Sequence, residues 1–379
     1  MRAHGAADDE ITRNPDDFVV TWLQNDYGHF GRSAECIAHV LLNSRSARRA
    51  AFVQPPVGLR HVRHKSTVVR GLDVHQVTRR PRPPPRRFAR AVLRRSGLFE
   101  PILLNCGLGQ PNWYFHQAFA PYSSKTVLVV HDRLELWPGL SQKRRSALSR
   151  VRAELLEASD VVVGLSEGSI SDVPGAHYVG HGCDEFWANR DLFVAPEPPD
   201  LAGIPRPRAV YLGNLSARIC EAAFETLAAS GVHVVLIGFG PTPALGRLIA
   251  QHPRVHWLGA RHPSEAAPYL MHCDVGIVPH TNEPFTRSME PHKVYNYSSA
   301  GIPSVTLNCV VPEALSPFII ATSTVSEFVE ATHLALRRGG LEEDAIREAR
   351  TLTWSRVASQ IVQLVGCIGH GDGREEDER

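Results

Sequence analysis

"RSMEPHKVYNYSSAGIPSVTLN", residues 287–308, holds a helix with a signal at each end and a strand directly after it. Pro291 suits a first helical turn, where a backbone N–H would lack a partner anyway. Gly301 followed by Pro303 is a helix stop, and "PSVTL" reads as a buried strand. Helix, Gly stop and apolar strand together make one unit of an α/β repeat. The start of this helix is chemically odd. Arg287, Ser288, His292 and Lys293 gather where a helix already carries partial positive charge. Cations there cost up to about 1 kcal/mol if nothing compensates, and a bound anion reverses the sign. The chain has four lysines among 41 basic residues, so Lys293 does not simply follow composition.

Working outward, the same texture runs through both halves. In the second half, "AVYLGN" (209–214) is a strand and turn, followed by a helix over 217–229. "HVVLIGFGP" is a strand running into a Gly loop, with a helix to about 251; "RVHWLG" and "DVGIVPH" are two more strands with a helix at 264–272 between them. Helix returns from about 325 to 365. In the first half the strand candidates are 18–24, 50–54, 72–77, 102–105, 126–131 and 160–165, with a charged helix before the last. Apolar strands without alternation, separated by helices, predict parallel sheets covered on both faces. A Pro-rich, aperiodic stretch at 188–207 reads as a linker. The expected fold is therefore α/β, with two doubly wound domains facing each other and a site at the carboxyl ends of both sheets.

Composition sets the bounds. The chain has 379 residues, 43% apolar and 21% charged, with a net charge of +2, which gives no reason to expect nucleic acid as a partner. Seven scattered cysteines, without a CxxC pair or a compact His/Cys cluster, argue against a disulfide framework or structural zinc and fit a reducing cytoplasm. No apolar run approaches the roughly 18 residues of a membrane span. Residues 1–17 read as a flexible leader and 368–379 as a solvated tail.

Each motif has a functional and a bland reading. "GFGP" offers Gly238 and Gly240 for close backbone approach to a phosphate, or is only a tight turn. Asn214 and Arg218 in "GNLSARIC" point from a strand end into the cleft, where an Arg can pair with a diphosphate, or Arg218 is a surface residue at a helix start. His131 and Asp132 end the strand "TVLVVH", fitted to hold a sugar hydroxyl or act as general base; otherwise Asp132 caps a turn. "DYGHFGRS" (26–33) puts His29 and Gly31 in a strand-to-helix loop, for ligand or for the turn alone. "RRPRPPPRRFARAVLRR" (79–95) packs eight arginines around an apolar scatter from Phe88 to Leu93. It docks on an anionic membrane or is a solvated loop.

Taken in order, the second-half motifs resemble the donor-binding domain of a GT-B glycosyltransferase of the family 4 and family 1 kind. "YLGNLSAR", "LIGFGP", "VHWLG", "CDVGIVPH" and "PHKVYNYSSAGIPSV" match its sequence of turns, loops and helix. "HGCDEF" (181–186) and "LTWSRVASQIV" (352–362) are similar to the segments that enter that domain and leave it. The resemblance covers about 180 residues and implies a GT-B architecture of two Rossmann-like domains. The first, 18–187, binds the acceptor. The second, 208–352, binds a nucleotide-diphosphate sugar, and a helix over 353–367 crosses back.

By the resemblance, Lys293 contacts the diphosphate, with Arg218 as a second phosphate-binding base. Gly213, Asn214 and the Gly238–Gly240 loop line the phosphate and sugar side. Arg261 lies where the base rests, and Ser288 and His292 flank the lysine. Glu283 is the candidate acid on donor-sugar hydroxyls, and His131 lies near the transferred sugar. Asn296 stands where the family usually has Glu, which breaks the two-glutamate pattern of many retaining members.

The expected activity is transfer of a hexose-type unit from a nucleotide sugar to a hydroxyl acceptor, either a lipid-linked glycan or a natural product, with a slight lean to retention. No cofactor is expected, and no metal, since no DxD-like signature stands in place. The expected setting is cytoplasmic, with peripheral membrane contact through 79–95. The rivals are a nucleotide-sugar epimerase of the same fold and a catalytically silent binding partner.

Overall fold

The computed structural model describes residues 16–22, 36–38, 40–41, 47–54, 66–69, 72–76, 86–184, 187, 195–261 and 263–367. The leader before residue 16, the loop carrying His29 and Gly31, the arginines at 79, 80 and 82, and the tail after 367 lie outside the described residues. The first sheet has strands β1 (Asp16–Trp22), β2 (Ala47–Gln54), β3 (Ser66–Val69), β4 (Leu72–Gln76), β5 (Ile102–Cys106), β6 (Lys125–Val130), β7 (Val161–Gly164) and β8 (His177–Tyr178). Their order is β3-β4-β2-β1-β5-β6-β7-β8, and every pairing except β3 with β4 is parallel.

The second sheet has β9 (Arg208–Leu212), β10 (His233–Ile237), β11 (Val255–Trp257), β12 (Val275–Pro279), β13 (Ser304–Leu307) and β14 (Ile319–Thr322). Its order is β11-β10-β9-β12-β13-β14, parallel throughout. Chain order reverses direction between β1 and β5 in one sheet and between β9 and β12 in the other. Such reversals leave a crevice at the carboxyl ends of the strands.

The apolar runs are strands because both of their faces are covered. Phe18, Val20, Phe52 and Leu104 pack into one core layer, while Val19, Ala51, Val53 and Leu103 pack into the layer on the opposite face. Successive side chains of a strand point to opposite faces, so a doubly covered strand has no polar alternation.

Residues Arg86–Ser96 form a helix whose Ala89, Val92 and Leu93 are buried, with Phe88 packed edge-on against Phe115 and Phe119. The apolar scatter of the arginine-rich stretch therefore belongs to the first core and is not offered to solvent. What the helix exposes is Arg86, Arg87, Arg90, Arg94 and Arg95. Among the described residues no helix is long and apolar enough to cross a membrane.

Two features seat the second sheet's functional helix. An added Cβ on Gly276 in β12 would lie 2.3 Å from the Tyr297 ring. The bare glycine lets Tyr297 reach across, so that its hydroxyl accepts the Leu212 N–H at 2.9 Å. Gly301 then ends the Lys293–Ala300 helix at φ 83°, a left-handed conformation that glycine adopts without strain.

The Pro-rich segment is not featureless. Pro199–Ala202 forms a helical turn, and its Leu201 and nearby Ile204 are buried in the second sheet's core. At the other end, the helix Trp354–Cys367 buries Trp354, Val357, Ala358, Ile361 and Val365 in the first sheet's core.

Candidate active site between the two sheets

The loops that follow β9, β10 and β11 are joined by main-chain hydrogen bonds into one floor. Gly213 N–H donates to Ile237 O at 2.8 Å, Leu215 N–H to Phe239 O at 3.1 Å, and Gly238 N–H to Gly259 O at 2.9 Å. An added Cβ on Gly238 would lie 1.7 Å from the Gly213 carbonyl oxygen, so this contact admits only glycine. Trp257 Nε1–H closes the same loop from outside by donating to Gly238 O at 2.8 Å. Above this floor lies a cavity of about 250 Å³ that both halves of the chain line.

Two of the cavity's cations, Lys293 and Arg218, make no ion pair among the described residues. Lys293 Nζ lies 4.8 Å from the centre of the Tyr211 ring, and among the described residues Lys293 makes no ion pair. Desolvation, with the Arg218 guanidinium as a further unfavourable charge, lowers its pKa to about 7. His280 is fully buried behind them and is held neutral by burial and by repulsion from Lys293 and Arg218. Arg218 Nε and His280 Nε2 are buried polar atoms without a hydrogen-bond partner. Unpaired cations and unused donors on one wall form a site arranged for an anion.

The opposite wall comes from the first sheet and from the crossing segment. His131 and Asp132 end β6, His181 and Asp184 follow β8, and all four line the cavity. The His181 and His292 rings stack at 5.4 Å, with Trp354 edge-on to both. His292 Nε2 pairs with Gly182 O at 2.9 Å, and desolvation holds His181 well below the ordinary imidazole range.

Glu290, 3% exposed, lines the same space. Its carboxyl accepts from Tyr178 Oη at 2.8 Å and Tyr295 Oη at 2.5 Å, and burial raises its pKa to about 7. Asn296 accepts the Asp184 N–H through Oδ1 at 3.3 Å, so the amide standing in place of Glu ties the helix to the crossing segment.

The cavity brings together His131, Asp132, Gly213, Asn214, Arg218, Gly238, Arg261, His292, Lys293 and Asn296. Gly240, Glu283 and Ser288 are not among the lining residues. Glu283 begins the Pro284–Ser288 turn, with its N–H donating to Thr286 Oγ1 at 3.0 Å. Ser288 is buried, donating to Phe285 O at 2.8 Å while its carbonyl accepts Ser166 Oγ–H at 2.9 Å from the first domain. Arg287 donates to Asn282 Oδ1 at 2.8 Å, so of Arg287, Ser288, His292 and Lys293 only the last two line the cavity.

Sequence reasoning missed His181 and Glu290. Both sit within these motifs, and a Glu just ahead of a helix start was the available signal; the helix itself begins at Lys293 after the cap residue His292, so Pro291 precedes it and does not lie in its first turn. Among the described residues no group of three or more His, Cys, Asp or Glu side chains is placed to hold a metal ion.

Residues 206–338 match the family model described as Glycosyl transferases group 1. The chain is 23% identical over 289 residues to a Bacillus subtilis (strain 168) protein named as a teichuronic acid biosynthesis glycosyltransferase, TuaH, covering 68% of this chain and 72% of that one. Among solved structures, HepE from Anabaena in complex with UDP superposes with a TM-score of 0.62 at 13% identity, over 93% of this chain and 100% of that one. The same protein with UDP-glucose gives 0.61 at 15% identity, over the same shares. The segment that carries the cation-lined wall thus matches a glycosyl transferases group 1 domain, and the two-sheet fold is shared along the chain with the HepE structures.

Proposed function

We propose that the enzyme moves a hexose-type unit from a nucleoside-diphosphate sugar to a hydroxyl acceptor, with the diphosphate seated on Lys293 and Arg218. The observation that carries this reading is the pair itself: two neighbouring cations lining the cavity, one without an ion pair among the described residues and partly discharged by its surroundings. A diphosphate restores full charge to Lys293. The charge that builds on the leaving group as the glycosidic bond breaks meets donors already in place, which is the interaction that accelerates such a step. The UDP and UDP-glucose complexes of HepE support a nucleotide-sugar donor of this kind.

In the reading we favour, configuration is retained. The bond from sugar C1 to the leaving phosphate oxygen breaks and that from C1 to the acceptor oxygen forms on the same face. The acceptor proton passes to a leaving phosphate oxygen. His131, buried at the cavity wall, holds the transferred sugar, and Asp132 orients the incoming hydroxyl. No metal is needed where Lys293, Arg218 and the Gly238 loop share the charge. The exposed arginines of Arg86–Ser96 leave an electrostatic route to an anionic acceptor surface, independent of the apolar side chains beneath them.

The test is thermal stabilisation by UDP, GDP, dTDP, CDP and ADP, in wild type and in Lys293→Ala. A diphosphate at 100 times its dissociation constant adds about 2.7 kcal/mol, and the variant loses most of that. Because bound phosphate raises the Lys293 pKa above about 7, binding at pH 8 takes up a proton and affinity falls as pH rises beyond 7. Calorimetry in buffers of different ionisation enthalpy reads that uptake. No stabilisation by any diphosphate, or equal stabilisation of Lys293→Ala, overturns the assignment.

A further inference from the structure

The chain's charge is unevenly shared. Lys and Arg outnumber Asp and Glu by ten in residues 18–187, while the acids lead by five in residues 188–379. The small net charge of +2 thus hides a basic first half. A dense patch of it is the helix Arg86–Ser96, eleven residues with five exposed arginines and no acid. At about 100° per residue, Arg86, Arg87, Arg90 and Arg94 fall within a sector about 100° wide, outside the sector that buries Ala89, Val92 and Leu93.

The helix ends on a loop that holds a phenylalanine out in water. Gly97, at φ 63°, donates to Arg94 O at 3.3 Å, and Leu98 N–H donates to Leu93 O at 2.9 Å. This paired cap buries Leu98 and turns the chain away from the helix. Arg49 donates to Gly97 O, and Phe99 N–H donates to Asp17 Oδ2 at 3.2 Å. Glu100, the one acid beside the arginines, follows at φ 42°, a left-handed conformation that a non-glycine residue adopts at a cost. With its main chain tied on both sides, the Phe99 side chain stays 75% exposed, the most of any large apolar residue among those described.

We infer that this patch docks the enzyme on an anionic lipid bilayer, the arginines pairing with headgroup phosphates and Phe99 entering the layer beneath them. A soluble polyanion satisfies the arginines but leaves the ring in water, whereas a bilayer interface takes both. The apolar residues from Phe88 to Leu93 have no part in this, since they pack into the first core. Phe99 lies just before β5, at the amino ends of the parallel strands, while the cavity lies at their carboxyl ends. Docking therefore leaves the cavity open, and bilayer binding is independent of the diphosphate site.

The experiment sediments the full chain with phosphatidylcholine vesicles, with and without about a third phosphatidylglycerol, at about 0.1 M and about 1 M salt. Wild type, Phe99→Ala, the pair Arg87→Gln with Arg94→Gln, and a charge-matched control pair, Arg337→Gln with Arg338→Gln, are compared. Wild type binds the anionic vesicles about tenfold or more tighter than the neutral ones, and high salt weakens it. Losing Arg87 and Arg94 lowers the partition coefficient about twentyfold, while the control pair, exposed on the second domain, leaves it unchanged. Phe99→Ala lowers it several-fold, and salt does not screen that loss. Unchanged melting temperatures show that each variant is folded.

No binding to anionic vesicles, equal binding to neutral ones, or an equal loss in the control pair overturns the inference. So does binding that ignores Phe99→Ala, which assigns the arginines to a soluble polyanion instead.

Discussion

Glu290 shows how one buried side chain makes a site's polarity depend on pH. Burial holds its proton to about pH 7, above the 4.5 of an unfolded carboxyl. Its contribution to stability is therefore complete below pH 4.5 and is lost as pH rises through 7, with a slope of up to about 1.4 kcal/mol per pH unit. Below pH 7 Lys293 is charged both folded and unfolded, so it adds no slope there. Urea melts of wild type and Glu290→Gln at pH 5, 6 and 7 check this: the buried His181 and His280 add an opposing slope to both proteins and cancel in the difference, and the stability of wild type relative to the variant falls along the series. An equal slope in the variant assigns the effect to other groups. Lys293 was legible in the sequence because its oddity is local, a cation in a first helical turn. Glu290 and His181 were not, because what marks them is contact between segments more than a hundred residues apart, Tyr178 on one sheet against Glu290 beside the other.

At the scale of elements, Gly276 decides where the Lys293–Ala300 helix sits. Gly276→Ala forces a methyl into the Tyr297 ring and costs about 1–3 kcal/mol, with nucleotide stabilisation reduced because the displaced helix carries Lys293. Gly246→Ala is the control. It lies inside the Pro243–Gln251 helix with nothing within 4 Å of the added methyl, and stabilises by up to about 1 kcal/mol. Thermal melts of both variants, with and without diphosphate, separate seating from propensity. Strands β9 to β13 could be read from sequence because each is an apolar run closed by its own turn. Strand β3, antiparallel at the sheet's edge, and the two-residue β8 escaped that reading. Strands so short or so placed owe their existence to a neighbour's unpaired edge more than to their own pattern. Asp200 escaped it too, since a Pro-rich segment gives no periodic sign that one carboxylate reaches Arg261.

At the scale of the whole molecule, Trp354 joins the halves: it starts the final helix, fills the first sheet's core and lies against both stacked histidines. Trp354→Ala is expected to cost about 3–5 kcal/mol, read as a lowered denaturation midpoint, with Trp113→Ala on a half-buried site costing less. The general plan of two facing sheets was visible from the recurrence of strand, turn and helix. Their mutual fit was not, because it depends on contacts such as Trp137 on Phe285 that no local pattern announces. The two places where the chain passes between the sheets lie side by side: Cys183 N–H donates to Leu352 O and Trp354 N–H to Cys183 O. Gly182 allows this, since an added Cβ would lie 2.3 Å from Trp354 N. Two bodies linked by a pair of adjoining straps behave like a door on two aligned pivots: they swing about one axis and resist twisting. A swing about that axis keeps Glu290 and Tyr178 in register, where a twist would part them.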